Sequence, residues 1–355
     1  MGKKNINKGM ILAAGLGTRL LPITERYPKP LVPVLNLANI LHTVSLFRQH
    51  GINEIIINLF HLPERIEEFF NEVPQKDFRI SFSKEPVLLG TGGGVKRAES
   101  FFNKESFVLA NCDFISSLNL TQLMESHSRS GAWATMALIE DPIKQKLYSA
   151  VGTTDQGFLC SLPRKKTAEP KHQGIFTGVH VLEPEIFSFL EEKPSGINDV
   201  LYPALMENHP DKARGVFMDG AYWFDTGDIP ALWQTSQELL GMLSNPASRL
   251  LETISSYGPV YREVAPKVWT TQRTKLPDHL KVTGPCLIGE GCQFEDGIEV
   301  GPYSVIGDRV MIGASSTIKN SVILSHSQVG SQQTISESLF FEGRAFSALP
   351  SSSRS

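Results

Sequence analysis

Two signals set the class of this chain: short β-branched strands alternating with helically spaced apolar segments in its first part, and a six-residue aliphatic rhythm in its last. Together they predict an α/β domain with a Rossmann-like, mostly parallel sheet over residues 1–245. A linker and a left-handed parallel β-helix of hexapeptide repeats are expected over 246–347, and a disordered tail over 348–355.

The elements follow in order. Gly9 to Ala14 reads as a buried strand entering a glycine-rich turn, and Leu37 to His50 has helical apolar spacing that stops at Gly51. Glu54 to Asn58 is a β-branched strand, Pro63 to Phe70 a helix, and Arg79 to Phe82 alternates as a strand should. Helical character resumes from Gly94 to Phe102. Phe107 to Ala110 is again a buried strand, ending at Asn111-Cys112-Asp113. Ala132 to Ile139 and Gly178 to Leu182 add two strands, and Leu232 to Leu243 is a closing helix before the Asn245-Pro246 boundary.

From there the composition changes. Val282, Ile288, Phe294, Val300, Ile306, Ile312 and Ile318 recur every six residues, and Gly289, Gly301, Gly307 and Gly313 follow four of them directly. One inward aliphatic per face at that period is the mark of a parallel β-helix. After Ile318 the rhythm slips, because Ile323 and Val329 are spaced differently.

Bulk properties narrow the function. The 355 residues suit two domains, with 41% hydrophobic and 20% charged residues, as in a soluble globular protein. A formal charge of −3 gives no cationic field for nucleic acid, so a phosphate-bearing ligand must be held by a few local groups. Cys112, Cys160, Cys286 and Cys292 form no CxxC pair, which argues against zinc and a disulfide framework. The apolar stretch Met10 to Ala14 is too short for a signal-peptide core or a membrane span; the cytoplasm is expected, with no membrane partner.

The chemistry concentrates after the first strand. Gly15-Leu16-Gly17-Thr18-Arg19-Leu20 is followed by Pro22, Thr24 and Pro28-Lys29-Pro30-Leu31-Val32-Pro33. Two glycines let backbone N–H groups approach a polyanion, Arg19 offers a fork of donors, and Lys29 a compact charge. The third glycine of a dinucleotide fingerprint and the GK[ST] of a P-loop are both absent, and the glycines alone would equally make a tight strand–helix turn.

As a whole, the segment from Leu12 to Val34 resembles the signature of the sugar-1-phosphate nucleotidyltransferases (NDP-sugar pyrophosphorylases), GxGTRLxPxTxxxPKPLxP. Its general appearance is nearest to the mannose-1-phosphate guanylyltransferase-like branch. The resemblance implies in-line attack of a sugar phosphate oxygen on the α-phosphorus of a nucleoside triphosphate, GTP in that branch, with pyrophosphate leaving. Arg19 would then stabilise the leaving phosphates, and Lys29 would reach the α-phosphate or sugar phosphate. Ala13, Ala14, Gly15, Leu16, Gly17 and Thr18 would meet the nucleotide.

The same resemblance implies Mg²⁺, with Asp113 matching the aspartate of the N-x-D segment and Asp225, in Trp223-Phe224-Asp225-Thr226-Gly227, that of WxDxG. Asp113 also follows a strand, at the end where open α/β sheets bind ligands; either aspartate alone would serve equally as a turn cap. Glu85-Pro86 and Leu89-Gly90-Thr91-Gly92-Gly93-Gly94 resemble the base-holding segment, Glu85 accepting a base N–H and Gly90 and Thr91 reading its edge, within a loop that caps the helix after Gly94. Ile175-Phe176-Thr177-Gly178-Val179 resembles the strand lining the sugar pocket. Asn198-Asp199 is either a sugar contact or a helix N-cap.

There is one departure. The Glu-Lys-Pro usual before the sugar-pocket strand is replaced by Leu162-Pro163-Arg164-Lys165-Lys166, where Lys165 is nearest in register to the family lysine and the glutamate has no counterpart. UTP- or dTTP-using enzymes of glucose, muramic acid or heptose phosphates, and a catalytically silent regulatory relative, are the alternatives. Hexapeptide solenoids also occur in acyltransferases with a loop histidine; His326 reads better as a solvated loop residue. The β-helix, with exposed edges, is expected to mediate a homo-oligomer.

Overall fold

Lys8–Leu12 and Glu54–Leu59 are short apolar runs, and each is buried on both faces of a sheet. The computed structural model, which describes residues 6–75 and 77–348, divides by packing into two units. One contains Met1–Leu16 and Thr43–Trp223, the other Gly17–His42 and Phe224–Ser355.

The first unit is built on the α/β sheet that the strand–helix alternation predicts, with a parallel core at its centre and antiparallel strands added on one side. Lys8–Leu12 lies between Glu54–Leu59 and Phe107–Asn111, parallel to both, and Arg79–Lys84 continues the parallel set outward. On the other side Phe107–Asn111 pairs antiparallel with the long strand His172–Leu182. That strand also holds Ala134–Ile139 and Ala150–Thr153, and Ala213–Phe217 adds in parallel to Ala134–Ile139. Met10, Phe102, Phe107, Leu109, Met136 and Leu201 form the core between sheet and helices. The Phe102 and Phe107 rings stack at 3.7 Å.

One element starts earlier than expected. The glycines of 90–94 are not a loop: the helix runs Gly90–Arg97, with a further turn at Glu99–Phe102. Close packing explains it, since a Cβ on Gly90 would lie 2.6 Å from the Ser195 carbonyl oxygen and one on Gly93 2.3 Å from that of Lys193. The helix backbone rests on the 193–196 segment, and only glycine fits there.

The second unit contains the β-helix. Three parallel ladders rise side by side: one through Cys286–Ile288, Ser304–Ile306, Val322–Ile323 and Ser338–Phe341, and two through the alternating strands between them. Val282 stands opposite Val300, Ile288 opposite Ile306, and Phe294 opposite Ile312, so each coil takes eighteen residues. The slip after Ile318 does not end the solenoid. Ile306 pairs with Ile323, Ile312 with Val329 and Ile318 with Ile335, so the coil has lost one corner residue. Asn320 turns that shortened corner at φ 47°, a conformation asparagine tolerates.

Two elements ahead of the repeats escaped the rhythm. Helix Leu250–Ser256 and the hairpin Tyr261–Ala265/Val268–Thr271 precede it, and Val268–Thr270 pairs with Cys286–Ile288 as an extra layer. The tail expected at 348–355 lies outside the described residues from 349 onward. Ala348 is itself buried, and its N–H donates to the Glu337 carbonyl at 3.0 Å.

Candidate active site

In the first unit the parallel register brings chemistry to one edge. Leu12 stands opposite both Asn58 and Asn111, so Ala13-Ala14, Asn58 and Asn111 to Asp113 emerge together at the strands' C-terminal ends. Val179 pairs with Ala110 on the antiparallel neighbour, which brings Gly178 and Thr177 to the same edge. Ligands bind open α/β sheets at that edge.

A buried hydrogen-bond chain fixes the start of the glycine turn. The Ala13 N–H donates to Asn58 Oδ1 at 2.8 Å, and Asn58 Nδ2 donates to Glu85 Oε1 at 2.7 Å. The Leu89 N–H donates to Glu85 Oε2 at 2.8 Å. Glu85 is 6% exposed, so both oxygens of the residue expected to read a base are engaged inside the protein, and its side chain acts as a strut beneath the loop. Asn58, which ties these parts together, was missed; its one signal is an amide within an otherwise apolar strand. Ala13 and Ala14 are buried, whereas Gly15 and Leu16 are exposed, and a Cβ on Gly15 would meet no heavy atom within 4 Å. Thr91 Oγ1 accepts the Ile197 N–H at 2.8 Å, and Gly90 turns at φ 67°; both fit the helix to its neighbour.

Asp113 is half-buried two residues beyond the strand. Gly178, at φ 85°, is held to glycine because a Cβ would lie 3.0 Å from Asn111 Nδ2. Thr177 is fully buried, its hydroxyl donating to the Ala137 carbonyl at 2.9 Å, so the expected sugar contact through this side chain is spent inside the sheet. Trp223 Nε1 donates to the Thr177 carbonyl at 2.8 Å.

The same unit contains a cavity of about 770 Å³. Its walls include Met136, Val151, Leu162 and Phe176, and its polar lining Tyr148, Ser149, Arg164, Lys165, Asn198 and Asp199. Lys165 and Asn198, predicted from separate segments, therefore meet there. Lys165 is paired with Glu207, and Arg164 Nη1 lies 3.6 Å from Asp199 Oδ1. Asn198 is not an N-cap: the helix Ile197–Asn208 is already under way, and Gly196 holds the cap position. A buried contact seats this helix, His180 Nδ1 lying 2.5 Å from the Tyr202 hydroxyl. Burial pushes His180 down to about 3, which keeps the imidazole neutral. Neither residue of this pair stood out in the sequence, where each falls within an ordinary apolar run, and Tyr148 follows a polar stretch that carries no motif.

The second unit holds the remaining candidates. Gly17 sits at φ 64°, and a Cβ there would lie 2.8 Å from Thr24 Cγ2 and 2.9 Å from Lys29 Cβ. Thr24 Oγ1 donates to the Gly17 carbonyl at 3.0 Å, which closes the turn onto the Pro28-Lys29-Pro30 segment. Thr18–Leu20 is a single turn of 3₁₀ helix with Thr18 exposed. The Arg19 side chain is 62% exposed, 3.9 Å from Asp228 Oδ2. Asp225 is half-buried, Oδ1 accepting the Gly227 N–H at 3.0 Å, so it does make the turn a lone aspartate would make. Thr226 Oγ1 accepts from Asn39 Nδ2 at 2.6 Å. Among the described residues no three His, Cys, Asp or Glu side chains gather as a ready metal cage. Asp113 and Asp225 each offer carboxylate oxygens, the donor type Mg²⁺ takes alongside phosphate oxygens and water.

A family model described as nucleotidyl transferase matches residues 8–241. The chain belongs to that family. A second model, described as GMPPB C-terminal domain, matches residues 282–343 of this nucleotidyltransferase. It is 32% identical to a UTP–glucose-1-phosphate uridylyltransferase of Synechocystis, over 94% of this chain and 87% of that one. It is 30% identical to a mannose-1-phosphate guanyltransferase of Pichia angusta, over 91% and 85%. A Bacillus anthracis crystal structure assigned as a glucose-1-phosphate thymidylyltransferase, with sucrose bound, shares the fold at a TM-score of 0.55 and 21% identity. That match covers 64% of this chain and 93% of the other. No helix among the described residues is long and apolar enough to cross a membrane.

Proposed function

We propose that this nucleotidyltransferase joins a sugar 1-phosphate to a nucleoside triphosphate, releasing pyrophosphate and an NDP-sugar. The observation that carries the reading is the sheet edge, where Ala13-Ala14, Asp113 and Gly178 emerge together beside relatives whose names describe this reaction. Mannose 1-phosphate and GTP are the proposed pair, supported by the C-terminal family match and the Pichia angusta relative. The Synechocystis relative favours a second reading, glucose 1-phosphate with UTP.

In-line displacement at an α-phosphorus needs alignment and neutralisation of developing charge, and little covalent help. Backbone from Ala13 to Thr18 receives the nucleotide. Arg19 binds the leaving phosphates with its fork of donors, and Lys29 takes the α-phosphate or sugar phosphate. Gly90 and Thr91 face the base. Lys165, Gly178 and Asn198 serve the sugar phosphate, the cavity walls its ring. Asp113 and Asp225 would hold Mg²⁺, which supplies charge neutralisation on the phosphate oxygens.

On this reading residues 1–245 form the nucleotidyltransferase domain, and 246–347 the linker and β-helix. The enzyme works in the cytoplasm as a homo-oligomer joined through its β-helix. A monomer by light scattering at micromolar concentration would remove that last point. Pyrophosphate release over a grid of four nucleoside triphosphates and several sugar 1-phosphates, with Mg²⁺, tests the whole. Release with mannose 1-phosphate and GTP above all other pairs is expected, glucose 1-phosphate with UTP is the rival, and no release with any pair would end the proposal.

A further inference from the structure

We infer that the solenoid positions the phosphate-contacting segment, so that its coils belong to the machinery of transfer and are not only a surface for assembly. The inference rests on the roles proposed for Arg19, Lys29 and Asp225, all three of which lie in the unit that contains the solenoid.

The solenoid's three faces differ. Two ladders alternate as half-exposed strands do, Glu299-Val300 and Gln293-Phe294 being typical. The third does not. Ile288, Ile306, Ile323 and Phe340 belong to the inner core, and the residues between and beside them, Leu287, Val305, Val322 and Leu339, are at most 3% exposed although the strand pleat turns them outward. A sheet apolar on both faces must be covered on both. Helix Ile229–Met242, which begins four residues after Asp225, packs on this ladder, and its Trp233 Nε1 donates to the Asn320 carbonyl at 2.7 Å.

The signature segment is fastened to the same solenoid at three points. Pro33–Val34 and Leu37–Ala38 form a hairpin whose tip, Leu35-Asn36, has φ 49° and 61°. From that tip Asn36 Nδ2 donates to the Ile306 carbonyl at 2.8 Å and to the Tyr261 hydroxyl at 3.3 Å. Nearer Lys29, the Tyr27 ring meets Phe341 edge-on at 5.9 Å, and Arg26 Nε lies 2.8 Å from Glu342 Oε1. Lys29 therefore sits between a hairpin pinned to one coil and an aromatic contact with another. The exposed ion pair adds little by itself; the half-buried amide and the ring contact carry the fixation.

The test uses the full chain with Asn36→Gly, which keeps the positive φ of the turn while removing the anchor, and with Phe341→Leu on the solenoid. Hydrogen exchange over residues 17–42 is expected to rise in both. Turnover should fall at least fivefold with KM for the triphosphate raised. Both variants keeping wild-type exchange over 17–42 would overturn the inference whether or not the enzyme turns over. Unchanged kinetics beside raised exchange would overturn it too. A wild-type protein inactive on every substrate pair would sink the proposed function and leave the exchange result to decide this one. Should Phe341→Leu fail to fold, Tyr27→Leu removes the same ring contact from the other side and supplies that arm of the comparison.

Discussion

Replacing Glu85 by Gln tests the strut beneath the glycine loop. Its two oxygens accept from Asn58 Nδ2 at 2.7 Å and the Leu89 N–H at 2.8 Å, and Asn58 cannot flip without losing the Ala13 N–H at 2.8 Å. A glutamine amide offers one oxygen, so one of the two donors must face an NH₂. A hydrogen bond to a charged group contributes roughly 1.5–3 kcal/mol, and an orphaned buried donor costs about 1–3 kcal/mol. A loss of about 2 kcal/mol follows, which for a unit of this size lowers Tm by roughly 4–8 °C. Glu85→Ala orphans both donors and should cost about twice as much. Thermal unfolding and urea titration of wild type and both variants measure it. If Glu85→Gln melts within about 1 °C of wild type, the strut is not there, and the residue returns to being a candidate base contact.

Asp113→Asn should leave the protein folded and reduce turnover at least ~100-fold, as for loss of a metal-held phosphate contact; near-normal rates would reject the assignment. Gly17→Ala faces both the positive φ, costing about 1–2 kcal/mol, and the 2.9 Å approach to Lys29, so it should lose stability and transfer together. Gly15→Ala meets open space, so its stability should stay within about 0.5 kcal/mol while triphosphate affinity falls; unchanged affinity would argue against backbone approach at that residue. Burial holds His180 near 3 and His42 near 4 in the folded protein, against 6.5. Below pH 6.5 the unfolded chain therefore binds protons the folded one does not, and stability falls on acidification by up to about 1.4 kcal/mol per pH unit for each histidine. Urea midpoints between pH 7.5 and 5 should show this, and His180→Phe should flatten the profile; parallel profiles would refute it.

The strands at 8–12, 54–59 and 107–111 were legible because a buried strand is a short apolar run, that at 79–84 because it alternates, and six-residue spacing declares a solenoid without further help. Boundaries failed where backbone meets backbone. The 90–94 glycines suggest a loop by composition, yet they are helical because Ser195 and Lys193 lie where side chains would go. Thr177 and Glu85 show the same limit at the site: sequence marks their segments, but only packing reveals that their polar atoms face inward. The Ile318 slip was visible as a broken rhythm, whereas its resolution by one corner residue needs the ladder register.

The twice-covered ladder also constrains how this protein can be shortened. A chain ended after residue 245 would keep helix Ile229–Met242 and lose the coils beneath it, leaving that flank wet and adhesive. Such a fragment should precipitate or self-associate where the entire polypeptide stays dispersed. The boundary that repeats and composition suggest is thus a poor place to cut.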